Sequence, residues 1–298
     1  LAVDLTAFLA QNVQDKYIKD ALDFALLEDF DHLYRYANLL ESDMNLKAED
    51  YVGDYTEIMP ARPTLAHHRH PYDSVKNPIC NKKATPFDKC AVNIITAAEQ
   101  QTMNYYMNLG GFYKNQKGRE LYTEIAMVEE QHVTHYGSLI DPTASWFEMC
   151  LMHEYIECYL YYSMLNDESD KNIKTIWEKL LEQEISHLHT AAKNLKKYEK
   201  KEWQEVIPDG KFPELITLKS NINYIRNIIK DTIENTANRE GYININDLPE
   251  NADFFIYQHK VIKNPNDIAS HKVIEEHIDR FGEDYRVQVK EHPVKELR

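Results

Sequence analysis

The chain has 298 residues with 49 acidic against 34 basic side chains, a formal net charge of −15 and 43% hydrophobic content. This excludes a basic nucleic-acid footprint, no apolar run reaches membrane-spanning length, and the length is ample for a buried core. Only 8 glycines and 11 prolines punctuate the chain, which favours long helices over a many-turned β fold.

Residues 1–10 contain Asp4 and lack a basic stretch, so no signal peptide is expected there. A helix is expected over 14–41, where Ile18, Leu22, Ala25, Leu26, Leu33, Tyr36 and Leu40 recur near a 3.6-residue period. Glu28, Asp29 and His32 on it imitate a ligand motif, but acidic helical residues mostly face solvent, and surface charge is the expected reading. Residues 42–86 are irregular, with five prolines and the run His67-His68-Arg69-His70, read as a solvated loop. Four helices follow at 87–109, 118–136, 144–166 and 170–199. Gly110-Gly111 and Gly137 serve as stops, and Thr143 or Ser145, then Ser169, as starts. Beyond residue 200 a helix is expected at 213–234, shorter pieces at 247–261 and 266–281, and a short strand at Tyr242-Ile243-Asn244-Ile245. The chain divides into an N-terminal helix and covering segment (1–86), a helical core (87–199) and a C-terminal extension of open role (200–298). The four cysteines, Cys80, Cys90, Cys150 and Cys158, form no Cys-x-x-Cys pair. Zinc ribbons are therefore not encoded, and a reduced, cytoplasmic protein is expected.

Chemistry is concentrated in the four central helices. Two Glu-x-x-His motifs occur, Glu129…His132 and Glu184…His187, where chance alone yields roughly one. Their arrangement is more informative. Glu99, Glu129 and His132 recur as Glu154, Glu184 and His187, each 55 positions on, the mark of an internal repeat of helix pairs. Residues three apart share a helix face. Glu99 and Glu129 lie equally far from a turn near 113, as do Glu154 and Glu184 from one near 168. Four helices would thus bring these groups to one depth of one bundle. A Glu from each of two helices, with Glu-x-x-His from the other two, is the ligand set of ferritin-like di-iron and di-manganese proteins. A parallel path for the second and third of these helices requires the link at 137–144 to run nearly taut, spanning roughly 20 Å of an extended reach of about 27 Å. An up-down-up-down path is the alternative.

The segment 87–199 resembles the rubrerythrins of the ferritin-like superfamily, on Glu129-Glu130-Gln131-His132 and on Glu154-x-x-Glu157, whose second carboxylate matches the extra ligand of rubrerythrin sites. The resemblance implies an all-α, ferritin-like four-helix bundle. It also implies two iron ions, with manganese or a mixed pair as other occupants, held by Glu99, Glu129, His132, Glu154, Glu157, Glu184 and His187. Glu157 would be the mobile, catalytic ligand. It further implies reduction of hydrogen peroxide or dioxygen. Since the chain lacks the rubredoxin Cys-x-x-Cys pairs, electrons would come from a separate donor. A homodimer is expected, with neither membrane nor nucleic acid as partner. The alternatives are a ferroxidase or iron-binding role, or a di-iron oxygenase or oxidase acting on an organic substrate. Glu130 is read as outward-facing and His135 and His189 as flanking groups. Tyr105, Tyr106, Tyr159, Tyr161 and Tyr162 are read as core aromatics, and Cys158 as a buried structural thiol.

Overall fold

A computed structural model of the protein describes residues 2–53, 55–62, 68–264 and 267–298. Helix α1 (Ala2–Asn12) turns at 13–15 into α2 (Lys16–Met44), whose first turn is capped by Asp15 accepting from the Tyr17 N–H. Asn45, at φ 55°, closes the other end of α2 in the left-handed region. After the single turn α3 (Glu49–Val52), Thr85 caps α4 (Pro86–Phe112), which has proline at its first position, where no amide proton is needed. Then come α5 (Gln116–Gly137), α6 (Trp146–Asp167) and α7 (Lys171–Asn194), the last capped by Asp170 rather than Ser169. The remainder is α8 (Ile222–Thr232), the antiparallel hairpin β1 (Asn235–Asn238) and β2 (Gly241–Asn244), then α9 (Asp253–Val261), α10 (Ala269–Phe281) and α11 (Tyr285–Val289). The helices expected between 87 and 199 are found close to their expected bounds, whereas α1, α3, β1 and α11 are not among the expected elements and α8 covers only part of the helix expected at 213–234. Among the described residues, no helix is long and apolar enough to cross a membrane.

Packing departs from the expected arrangement. The α1–α2 hairpin lies against the α4–α5 hairpin, with α1 beside α4 and α2 beside α5. Phe8, Leu9, Leu22, Ala25, Ala91 and Ile95 form the shared core. The C-terminal extension wraps this block. Ile225 and Ile229 of α8 pack on Leu26 and Phe30, and Val273 of α10 packs on Leu39, Leu121 and Ile125. The α6–α7 hairpin attaches to the same core through Leu151, Tyr155, Ile156 and Tyr159. It does not close a bundle with α4 and α5. The link between α5 and α6 is wound into turns, such as Ile140 N–H to Gly137 O at 3.2 Å, rather than drawn out as a crossover. It is pinned by Ile79 N–H donating to Leu139 O at 2.8 Å and Asn81 N–H to Asp141 Oδ2 at 2.8 Å.

Candidate metal centre

On α5 the buried positions Leu121, Ile125, Glu129, His132 and Tyr136 recur every three or four residues, so Glu129 and His132 occupy places that apolar residues would otherwise fill. Glu99 sits one turn beyond Ile95 on the inner face of α4. On α2, Asp29 falls seven residues after Leu22, again on the buried stripe, with Glu28 and His32 beside it. The packing of α2 on α5 makes one buried cluster from three helices.

Ligand atoms of Asp29, Glu99, Glu129 and His132 all lie within 4.8 Å of one another. His132 Nδ1 faces Glu129 Oε2 at 3.2 Å, Glu99 Oε2 at 3.5 Å and Asp29 Oδ1 at 3.5 Å. The other ring nitrogen, Nε2, meets Glu28 Oε2 at 2.7 Å. Glu28 is in turn held by Arg69 at 2.8 Å and Arg62 at 3.3 Å. A carboxylate gripping one imidazole nitrogen while the other faces a ligand cluster is how metal-binding histidines are oriented. Glu129 also reaches a second imidazole, since its other oxygen, Oε1, stands 3.1 Å from His32 Nδ1. Asp29-x-x-His32 on α2 therefore mirrors Glu129-x-x-His132 on α5, with Glu99 between them.

The electrostatics show what the cluster lacks. Burial, reinforced by the Glu99 charge, holds the Asp29 carboxyl well above its usual range. Burial and then Glu129 push Glu99 up to about 8. Burial disfavours the charged form of His132, but the Glu99 charge and its Glu129 and Glu28 neighbours outweigh this and raise it well above normal. Among the described residues, Asp29 Oδ2, both Glu99 oxygens, Glu129 Oε2 and His132 Nδ1 make no hydrogen bond. Such orphaned buried atoms are rare, and uncompensated buried charge costs several kcal/mol per group. The oxygen-and-imidazole donor set is of the kind that first-row divalent metals such as iron or manganese take, so the four residues form a group able to hold a cation.

The structure brings together three of the seven residues expected to form the site, Glu99, Glu129 and His132. It places Glu154, Glu184 and His187 in a second, partly exposed cluster on α6–α7, with Glu157 nearby on α6 and half-buried. The reason is helical phase. Leu151, Met152, Tyr155, Ile156 and Tyr159 form the inner face of α6, and at 100° per residue Glu154 and Glu157 point away from it.

The surface reading of Glu28, Asp29 and His32 is corrected, because all three are buried. Their signal was legible: Asp29 stands on the apolar stripe, and Asp29-x-x-His32 repeats the ligand spacing. Arg62, Arg69 and His68 are also buried, so the run from His68 to His70 is not a solvated loop; His67 lies outside the described residues. His135 is buried and shares a hydrogen bond with the Tyr242 hydroxyl at 3.0 Å, whereas His189 and Glu130 are exposed. Tyr159 is a core residue, but Tyr105 is exposed and Tyr106 lines a cavity of about 880 Å³ that also reaches Asp29, His32 and Glu129. Cys158 is buried, and burial beside Glu184 and Glu154 pushes its thiol up to about 12, as suits a structural group.

No protein-family model, curated protein sequence or solved structure matches the chain.

Proposed function

We propose that the protein is a ferritin-like, carboxylate-bridged di-metal oxidoreductase, with iron as its metal, acting on hydrogen peroxide or dioxygen. The observation that carries this reading is Glu129, whose two carboxylate oxygens face two different imidazoles, His32 at 3.1 Å and His132 at 3.2 Å. A carboxylate so placed can bridge two ions, each with its own imidazole. Glu99 and Asp29 complete the set, which is built from α2, α4 and α5. Three carboxylates facing inward suit the charge of two divalent ions, while Glu28 is neutralised by Arg62 and Arg69. When bound there, a pair of ferrous ions would supply the two electrons needed to reduce an O–O bond. The chain's own groups hold the pair, orient His132 through Glu28 and keep bulk water from the buried side. With Glu157 on α6, the mobile-ligand role expected for it is not assigned to this centre, and electrons come from a separate donor.

A second reading is favoured by the cavity of about 880 Å³ that opens on Asp29, His32 and Glu129 between Leu5, Leu33, Tyr36 and Tyr106. Peroxide needs far less room, whereas a mostly apolar space of this size accommodates an organic molecule, so the same centre would act as an oxidase or oxygenase. Metal analysis and the optical spectrum of air-oxidised protein test the common core. Two irons per buried site, lost in Glu129→Gln, are expected. Iron binding untouched by that substitution would overturn it. Reductant-dependent peroxide turnover then separates the first reading from the second.

A further inference from the structure

The α6–α7 hairpin repeats the ligand pattern of α4–α5 but leaves it uncovered. Along α6, Trp146 and Met164 lie on the side that carries Glu154 and Glu157, and they are 70% and 39% exposed. Along α7, Ile173, Ile176, Leu180, Glu184 and His187 follow one another at intervals of three and four residues, the seam spacing of a helix that packs against others. Ile173 and Ile176 are 40% and 50% exposed. In the middle of this face His187 Nδ1 stands 2.9 Å from Glu184 Oε2 and 3.8 Å from Glu154 Oε2. The opposite side of α6 is occupied, because Phe212 packs its ring on Tyr155, Tyr159 and Tyr162. An apolar stripe interrupted at its centre by Glu, Glu and His does not describe a solvated helix face.

We propose that this face binds the same face of a second copy of the chain, and that the two copies together complete a second two-metal centre from Glu154, Glu184 and His187 of each. Three arguments select a second copy as the occupant. The first is the repeat itself. Glu99, Glu129 and His132, which correspond to Glu154, Glu184 and His187, become a buried site only because a second helical hairpin, α1–α2, packs on them. Among the described residues no helical hairpin does this for α6–α7. The second is composition. A twofold axis sets each patch against its own copy, so two hairpins give four helices. Those helices carry a Glu on two and Glu-x-x-His on two, a complete di-metal ligand set. Four carboxylates then balance two divalent ions, whereas one copy alone offers half the ligands. The third is area. A face two helices wide and about 33 Å long offers roughly 650 Å² per copy. The total of about 1,300 Å² sits at the low end of stable interfaces, where metal bridging decides whether the dimer holds.

The test is sedimentation of the full chain, metal-free and then loaded with ferrous iron under anaerobic conditions, with iron counted per chain. Variants are the surface pair Glu184→Gln with His187→Ala, the stripe change Ile176→Asp, and Glu129→Gln at the buried centre. Iron is expected to drive the wild type to a dimer. The surface pair should lose about one iron per chain and weaken iron-dependent dimerisation at least tenfold, while keeping the buried iron. Ile176→Asp should also weaken the dimer. Glu129→Gln should lose the buried iron yet still dimerise, so failure of this inference and failure of the buried-site reading are distinguishable. A wild type that stays monomeric with iron would overturn the proposal. So would a dimer, or an iron count, unchanged by the surface pair.

Discussion

His132 shows how single residues set the chemistry of the buried centre. Its ring is fully buried, with Nε2 committed to Glu28 and Nδ1 left to face three carboxylates. Glu28 does not join the cluster of four; it fixes the ring, and Arg62 and Arg69 fix Glu28. Glu28→Gln keeps the shape but removes the charge that Arg62 and Arg69 face, so it lowers stability by several kcal/mol and holds the ring less firmly. The expected outcome is a loss of about 10- to 100-fold in iron affinity, the usual effect of removing a partner that orients a ligand. Titration with ferrous iron under anaerobic conditions checks it, and an affinity equal to wild type would count against the orienting role.

At the scale of elements, each hairpin is specified locally and its orientation is not. Ser145 and Glu148 form a reciprocal capping box, with the Ser145 N–H donating to Glu148 Oε2 at 2.8 Å, and this starts α6 just after the wound link. The Ser145 hydroxyl also meets Glu199, which follows α7, and so ties together the open end of the α6–α7 hairpin. Ser145→Ala removes the hydroxyl's two contacts, from the Glu148 N–H and to Glu199, while the backbone bond to Glu148 Oε2 stays; it is expected to cost about 1 kcal/mol or somewhat more, read as a lowered urea midpoint with an unchanged slope. Iron bound at Glu99, Glu129 and His132 should be unaffected, since these groups lie on α4 and α5. A midpoint equal to wild type would show that the cap contributes nothing.

For the whole molecule, the buried acids tie stability to pH when metal is removed. Glu99 rises from 4.5 to about 8 on folding, by burial and then by Glu129. A carboxyl with a raised folded pKa binds more protons folded than unfolded. Its contribution is therefore complete below about 4.5 and is lost as pH rises through about 8. His132, also raised, acts in the same sense. Buried His32, His68 and His135 are lowered and act in the opposite sense below their ordinary value of 6.5. They are common to wild type and Glu99→Gln, so comparing the two reports Glu99 together with its effect on Asp29 and His132. Metal-free wild type should lose thermal stability relative to Glu99→Gln as pH rises from 5 to 8, and iron, which binds the ionised Glu99, should stabilise the wild type more than the variant. Parallel melting curves across that range would contradict this.

The helices of this protein and much of its ligand chemistry are legible in the sequence because both are local. Capping residues and a 3.6-residue period mark α2 and α4 to α7, and the spacing of Glu99, Glu129 and His132 marks their shared depth. The chain also states that Glu154, Glu184 and His187 form an equivalent set. What it does not state is which hairpin meets which. That depends on the link at 138–145, wound and pinned by Ile79 and Asn81 rather than taut, and on the apolar face that turns Glu154 and Glu157 outward. These are long-range contacts without a periodic signature. Only the tertiary structure therefore gave α2 to the buried centre, with Asp29, His32 and Glu28, and left the α6–α7 ligands at the surface. Desolvation is the physical difference. Packing α2 on α5 strips water from Asp29, Glu99 and Glu129, whereas the same residue types on α6 and α7 remain partly hydrated.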